Sequence, residues 1–277
     1  MKITVLFSIL LAPAAAGYCA DGEVKTFPAA GLESLVVNAV AGPVSVSGAG
    51  AGEIAVTLTG TEPEKCVITM KAEGSRLVLK AENALKAGGQ EKRGFWKRLF
   101  SGEGLDSSRY HTCRLGFTVS APPALKVSAG SVSGAVSIDG VSGDVDARTV
   151  SGGVRADAAA GSLDARTVSG NISGTSCARS LKAVTTSGKI DFKGLCGSAA
   201  IDTVSGNVSL AWARLPSGGQ ARAGTVSGDV LLVFPADAAV ASTLSSVSGR
   251  KISEFGGAGF PANVKTVSGD ISVLKVK

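Results

Sequence analysis

Histidine and aromatic residues are scarce in this chain of 277 residues, which has one histidine, two tryptophans and two tyrosines. A Ser-His-Asp triad would have to use His111, and no Gly-x-Ser-x-Gly motif accompanies it. The motifs His-Glu-x-x-His, Cys-x-x-Cys and Gly-x-x-x-x-Gly-Lys are also missing. The sequence therefore predicts a protein that is not an enzyme, with no catalytic residues, no metal site and no cofactor.

Long apolar runs are missing as well, since no segment has the roughly 18 uninterrupted apolar residues that cross a bilayer. The chain begins with a positive charge at Lys2, a short apolar run over 3–11 and then small residues. This pattern predicts a secretory signal peptide over 1–17 and an exported protein, periplasmic or at the cell surface. Cys19 suggests lipid attachment, but Tyr18 stands where a lipoprotein signal has Gly or Ala.

Glycine, by contrast, is abundant, with 37 residues, and part of it marks a repeat. Glycines that end Val-Ser-Gly or Thr-Ser-Gly units follow one another at intervals of 9, 9, 18, 18 and 18 residues. They are Gly134, Gly143, Gly152, Gly170, Gly188 and Gly206, followed less regularly by Gly228, Gly249 and Gly269. This period predicts an all-β fold, a β-solenoid of about 18 residues per coil with short strands and glycine corners.

The units divide the chain into a less regular and a regular part. We expect irregular N-terminal β coils over 23–128, interrupted by an insertion at 82–112, and regular solenoid repeats over 129–277 that continue them. A six-residue repeat of acyltransferases fits less well, because the marker falls every nine residues. A calcium-binding nonapeptide also fits less well, because calcium needs several oxygens from more than one acidic residue and four units have Ala135, Gly153, Lys189 or Arg250 after the glycine. The Asp or Asn that often follows the marker glycine is typical of a turn. The glycine itself is expected to supply the positive φ of a tight corner.

Alternation within a unit predicts which side chains face the interior. Leu163, Ala165, Thr167 and Ser169 would point inward, while Asp164, Arg166 and Val168 would point outward. Asp146 and Arg148 occupy the same places one unit earlier. They predict an outward ladder of charges that pair along the stack, which is favoured over a carboxylate pair of a glycan-cleaving enzyme.

Four cysteines are expected to form disulfides in an exported protein. We predict the pairs Cys66 with Cys113, which bracket the irregular segment, and Cys177 with Cys196, which lie one residue off the repeat and so in adjacent coils. Four small buried thiols are the alternative.

The insertion at 82–112 contains the one unusual surface candidate, in which basic residues alternate with large apolar ones. Its residues are Lys92, Arg93, Phe95, Trp96, Lys97, Arg98, Leu99 and Phe100. Such a segment can contact a membrane surface peripherally or bind a partner. It can also be a hairpin that covers the end of the strand stack. Stacking on nucleic acid is a third use of such residues, but export argues against it.

The whole pattern resembles a known family. An exported start, a strand-rich first half, Pro122-Pro123 before the repeats, and units such as Thr-Val-Ser-Gly-Asn-Ile are similar to the bacterial putative-adhesin family, a domain of unknown function. The resemblance covers residues 23–277. It implies a β-solenoid of the cell envelope without catalytic residues, linked by name to adhesion and by context to envelope-stress systems.

The predicted function is therefore a non-catalytic binding or scaffold module that contacts an envelope component, a protein or a glycan. A carbohydrate-active β-helix enzyme, of the polysaccharide lyase or glycosidase type, is the alternative. The C-terminal coil is expected to be open, which would allow self-association, with Lys275 and Lys277 as charges that oppose it.

Overall fold

The computed structural model describes residues 24–61, 63–84, 113–157 and 161–276. These residues form an all-β protein with 23 strands and one 3-10 helix, Pro63–Lys65. The first strands are β1 (Val24–Pro28), β2 (Ser34–Asn38), β3 (Val44–Ser47), β4 (Glu53–Thr59), β5 (Cys66–Glu73), β6 (Arg76–Asn83), β7 (Gly116–Ser120) and β8 (Lys126–Gly130). The signal peptide predicted over 1–17 and the basic-aromatic residues of the insertion lie outside the described residues.

The repeat region supplies the other strands. They are β9 (Val136–Asp139), β10 (Val145–Arg148), β11 (Val154–Asp157), β12 (Ser162–Arg166), β13 (Ile172–Thr175), β14 (Ser180–Ser187), β15 (Ile190–Leu195), β16 (Ser198–Ser205), β17 (Val208–Trp212), β18 (Ala221–Gly224), β19 (Val230–Phe234), β20 (Val240–Ser248), β21 (Lys251–Ser253), β22 (Phe260–Ser268) and β23 (Ile271–Lys275). Within these ranges no helix is long and apolar enough to cross a membrane.

The strands form two large, mostly parallel sheets. Sheet 1 has 12 described strands in the order β1-β4-β7-β3-β9-β11-β13-β15-β17-β19-β23-β21. Sheet 2 has 11, in the order β20-β22-β18-β16-β14-β12-β10-β8-β2-β6-β5. From β8 onward the chain alternates between the sheets. We call one strand of sheet 2 together with the next strand of sheet 1 a rung.

The 18-residue period appears directly in the strand register. Ala147 pairs with Ala165, and Ala165 pairs with Ala183, so residues eighteen apart are neighbours in adjacent strands. All three side chains are fully buried. The predicted column of equivalent residues is therefore confirmed.

The inward side chains of both sheets belong to one hydrophobic core. In β10 to β16 the inward positions of sheet 2 carry mainly Leu and Ala, while sheet 1 contributes Ile172, Ile190 and Phe192, all fully buried. Strands of this kind alternate buried and half-buried side chains because successive residues point to opposite faces. Small aliphatic side chains let many short strands share one thin core.

The order of rungs differs from the order of the chain at both ends. At the C-terminal end, β22 lies between β18 and β20, and β23 lies between β19 and β21. The prediction that the C-terminal coil is the open end is therefore wrong, and the outermost rung is β20–β21. The inward residues explain this order. Ala262 and Val273 in the inner rung are fully buried, whereas the outer rung places Ser242 and Ser253 at the paired positions.

Candidate functional site

The buried threonine of the repeated Thr-Val-Ser-Gly unit connects successive rungs. Thr149 Oγ1 donates a hydrogen bond to the carbonyl of Gly134 at 3.0 Å and accepts one from the amide of Gly152 at 3.1 Å. Thr167 Oγ1 donates likewise to the carbonyl of Gly152 at 3.0 Å. The hydroxyl therefore satisfies backbone groups that the corner leaves without a strand partner.

The glycine of the unit is required by close approach to the neighbouring rung. A Cβ atom at Gly152 would lie 2.1 Å from the carbonyl oxygen of Gly134, and one at Gly170 would lie 2.0 Å from that of Gly152. Positive φ occurs at Gly228 and Gly269 but not at Gly152 or Gly170. The expectation that a positive φ explains every marker glycine is therefore wrong, because the shared cause is the missing Cβ.

The Asp or Asn after the glycine also joins rungs. Asn171 Oδ1 accepts the amide of Lys189 at 2.8 Å, and Asp270 Oδ1 accepts the amide of Arg250 at 2.8 Å. The amide and then the guanidinium of Arg250 lower the pKa of the Asp270 carboxyl. In the described part of the chain, no three His, Cys, Asp or Glu side chains converge as metal ligands would.

The side chains of the valine and the serine of the repeated unit are exposed to solvent. Six rungs carry a continuous column of β-branched side chains followed by serines, which we call the valine–serine ridge. It consists of Val168, Thr186, Val204, Val226, Val267 and Val247 with Ser169, Ser187, Ser205, Ser227, Ser268 and Ser248. Val204 and Val226 are 50% and 49% exposed, and Val247 is 83% exposed.

Backbone hydrogen bonds set the spacing of the ridge. The amide of Ser227 donates to the carbonyl of Val204 at 2.9 Å, and the amide of Ser268 donates to that of Val226 at 2.9 Å. Neighbouring strands lie about 4.8 Å apart, so six rungs form a ridge about 24 Å long. Sequence alternation placed Val168 outward, as observed. It placed Ser169 inward, which is wrong because β12 ends at Arg166 and the chain turns there.

The predicted Asp and Arg ladder is outward-facing, but its ion pairs run along a strand. Arg166 Nε and Nη2 each donate to a carboxylate oxygen of Asp164 at 2.8 Å, and Arg148 binds Asp146 in the same way. The expected pairing along the stack is wrong because the parallel register places Asp146 beside Asp164, like charge beside like. A side chain two residues along the same strand face is then the nearest opposite charge.

These aspartates line a shallow depression of about 500 Å³ on sheet 2, together with Asp144, Arg76 and Lys126. The amide and hydroxyl of Ser162 both donate to Asp144 Oδ1 at 2.9 Å and lower the pKa of that carboxyl. A general acid needs a raised pKa. With its lowered pKa, Asp144 is unsuited to act as a general acid, and its hydrogen bonds to Ser162 join adjacent rungs instead.

A second groove, of about 660 Å³, lies where the corner loops 213–219, 235–239 and 259–261 meet. Arg214 and Asp237 are the charged residues of its lining. Behind it, the rings of Trp212 and Phe234 stack with centroids 4.6 Å apart, so this end of the core is the aromatic one.

Both predicted disulfides are present. Cys66 and Cys113 are joined with their Cα atoms 5.1 Å apart, and Cys177 and Cys196 with theirs 4.7 Å apart. The first bond ties β5 to the residue that follows the insertion. The insertion residues from Lys92 to Phe100, and His111, lie outside the described residues, so their predicted roles stay predictions.

No family model and no curated protein matches this chain. Solved structures do. A putative adhesin from Bacteroides fragilis is 13% identical with a TM-score of 0.50, covering 94% of this chain and 99% of its own. A putative adhesin from Parabacteroides distasonis is 15% identical with a TM-score of 0.46, covering 92% and 98%. A putative lipid binding protein from the same species is 14% identical with a TM-score of 0.46, covering 93% and 97%.

At 13% identity, the likeness to the Bacteroides fragilis protein shows a shared fold. The resemblance to putative adhesins predicted from the repeat units is confirmed at that level. The class that follows is an all-β protein with two large, mostly parallel sheets and the fold of a putative adhesin.

Proposed function

We propose that this chain is an exported, non-catalytic β-solenoid that binds a component of the cell envelope, a protein or a glycan, through the valine–serine ridge. The alternation of strands between two sheets and the 18-residue register support a chain that winds as a solenoid. Two disulfides support export, since such bonds persist in oxidising compartments. The signal peptide over 1–17 belongs to the same proposal.

One observation supports the ridge as the contact surface. Of the residues in the repeated unit, threonine, glycine and the following Asp or Asn bind or approach the neighbouring rung. Valine and serine point to solvent. Val204, Val226, Val267 and Val247 are neighbouring exposed valines and form a contiguous apolar patch. Such patches mark interaction sites.

The ridge provides its own conservative substitution, because Thr186 occupies one place in the valine column. Val204→Thr with Val226→Thr keeps β-branched side chains and should leave the free energy of unfolding within about 0.5 kcal/mol. Each hydroxyl placed against an apolar partner surface should cost about 1 kcal/mol of binding. Together they weaken binding at least about tenfold.

The assay is binding of the purified protein to immobilised envelope fractions and glycans. Val24→Thr with Val276→Thr is the matched control, since these valines are 57% and 48% exposed and lie off the ridge. The control should bind like wild type. Equal binding by the ridge variant and wild type would contradict the proposal.

A carbohydrate-active enzyme is the second candidate, because three aspartates line the depression on sheet 2. Its test is release of reducing ends from envelope polysaccharides. Activity that disappears in Asp146→Asn with Asp164→Asn would favour the enzyme. We expect no turnover by either protein, because both carboxylates bind guanidinium groups.

A peripheral membrane contact through residues 92–100 is proposed from the sequence alone. Lys and Arg would meet anionic headgroups while the rings enter the interface. Sedimentation with vesicles of anionic lipid at low salt should lose most of its signal in Trp96→Ala with Lys97→Ala. Equal sedimentation of variant and wild type would end this hypothesis.

A further inference from the structure

The outermost strand of sheet 2, β20, pairs with β22 on one side and with no described strand on the other. It is nine residues long and contains no charged side chain. An unpaired strand edge offers a row of backbone N–H and C=O groups to another strand. This edge is therefore available for pairing.

The opposite end of the stack is different. There the outer strands are β5, in which Lys71 and Glu73 form an ion pair, and β1, which contains Lys25 and Pro28. Charged residues and proline on an edge oppose strand addition. The two ends are therefore unequal, and β20 is the one without such protection.

The rung that carries β20 is held in place by its own contacts. Ser242 Oγ and Ser253 Oγ are 2.9 Å apart, so one hydrogen bond links β20 to β21 across the open end. Glu254 Oε2 accepts the amide of Lys275 at 2.7 Å, and the ring of Phe255 packs edge-on against Phe234. A fixed edge loses little conformational entropy when a partner strand binds.

We propose that β20 pairs antiparallel with β20 of a second copy of this chain, about a two-fold axis at Leu244. The amide of Phe260 donates to the carbonyl of Ala239, so backbone groups of alternate residues from Ala239 face β22. The backbone groups of the residues between them, from Val240 to Ser246, face outward, while the carbonyl of Ser248 accepts the amide of Gly269 at 3.0 Å. Leu244 then lies in a hydrogen-bonded pair with its own copy, flanked on each side by Ser242 opposite Ser246.

This register also matches the side chains. Exposed Thr243 lies opposite Ser245 of the second copy, a pair that stabilises adjacent strands. An isologous two-fold contact repeats every favourable pair.

The test uses the whole exported chain in sedimentation velocity. Wild type should form a dimer as its concentration rises to about 100 µM, within the range of a weak interface. Thr243→Lys with Ser245→Lys places like charges opposite one another and should weaken dimerisation at least tenfold. Thr243→Lys with Ser245→Glu places opposite charges in the same positions and should restore the dimer. Both side chains are exposed, so the fold is retained.

A wild type that stays monomeric throughout this range would overturn the proposal. So would a dimer that survives the double lysine variant, or a lysine–glutamate variant that stays as weak as the double lysine one. The ridge variant Val204→Thr with Val226→Thr should dimerise normally. Loss of envelope binding and loss of dimerisation are thus separate results.

Discussion

Replacing the glycine that follows the valine and serine of one repeated unit by alanine tests how closely adjacent rungs approach each other. In Gly170→Ala the new Cβ would lie 2.0 Å from the carbonyl oxygen of Gly152, 2.7 Å from its carbonyl carbon and 3.0 Å from Thr167 Oγ1. A carbon and an oxygen need more than 3 Å, so the two rungs must separate by about 1 Å. The obstacle is backbone, which cannot rotate away as a side chain would.

The expected cost is therefore at the upper end of the range for overpacking, about 3 kcal/mol of unfolding free energy. With a urea dependence of about 3 kcal/mol per molar for a chain of this size, the midpoint should fall by about 1 M. The measurement is urea unfolding followed by far-ultraviolet circular dichroism.

Two other glycines distinguish the two reasons for which a glycine-to-alanine substitution can be destabilising, which are steric contact of the new Cβ and an unfavourable backbone φ. In the described ranges no atom lies within 4 Å of a new Cβ at Gly218, which also lacks the positive φ, so Gly218→Ala should change stability by less than about 0.5 kcal/mol. Gly74 also has open space but a φ of 60°, so Gly74→Ala should cost about 1 kcal/mol. If Gly170→Ala shifts the midpoint no more than Gly218→Ala, close approach is not the reason for glycine in the repeat.

Two further predictions concern the hydroxyl and carboxylate columns. Thr203 Oγ1 is buried and has no hydrogen-bond partner among the described residues, so Thr203→Val should be neutral or stabilising, whereas Thr167→Val should cost about 1 kcal/mol in the same unfolding assay. Asp144 and Asp270 have lowered pKa values, so their stability contribution is present above the unfolded pKa and is lost as pH falls through the folded pKa. The midpoint temperature of thermal unfolding should fall below about pH 4, and Asp144→Asn with Asp270→Asn should make that fall smaller. An equally steep fall in the variant would contradict a stabilising role for these two carboxylates.

The stacked architecture could be predicted from the sequence because it depends on local periodicity. A unit that repeats every 18 residues must place equivalent residues side by side, and Ala147, Ala165 and Ala183 do so. The disulfide of Cys177 with Cys196 follows from the same stacking.

The order of rungs at the ends could not be predicted in this way, because periodicity says nothing about which unit lies outermost. The information is present in the inward positions, where Ser242 of β20 pairs with Ala262 of β22 and Ser253 of β21 pairs with Val273 of β23. Only burial energy distinguishes the two, since a serine at an inner rung would lose water without gaining apolar contacts. Comparing inward residues between units is the signal that was missed.

The ridge was missed for a related reason. The residues of the repeated unit have different roles, some in joining rungs and some in facing solvent, and only atomic contacts distinguish these roles. Val226 is half exposed while Thr225 beside it is buried, and no local pattern distinguishes a solvent-facing valine from a core valine at a corner. The ion pair of Asp164 with Arg166 could likewise be predicted only from the strand register, which places Asp146 beside Asp164.

The separate roles of the four residues in the repeated unit are tested most directly in a single rung. The measurements are the free energy of unfolding and the binding to envelope fractions of Thr225→Val, Val226→Thr, Ser227→Ala and Gly228→Ala. Thr225 Oγ1 donates to the carbonyl of Gly206 at 3.3 Å, and a Cβ at Gly228 would lie 2.2 Å from its oxygen. The threonine and glycine variants should lose about 1 and about 3 kcal/mol of stability. The valine and serine variants should keep their stability and bind the envelope several-fold more weakly. Envelope binding as strong as wild type by Val226→Thr and Ser227→Ala would contradict the account. So would a loss of stability in Val226→Thr equal to that in Gly228→Ala.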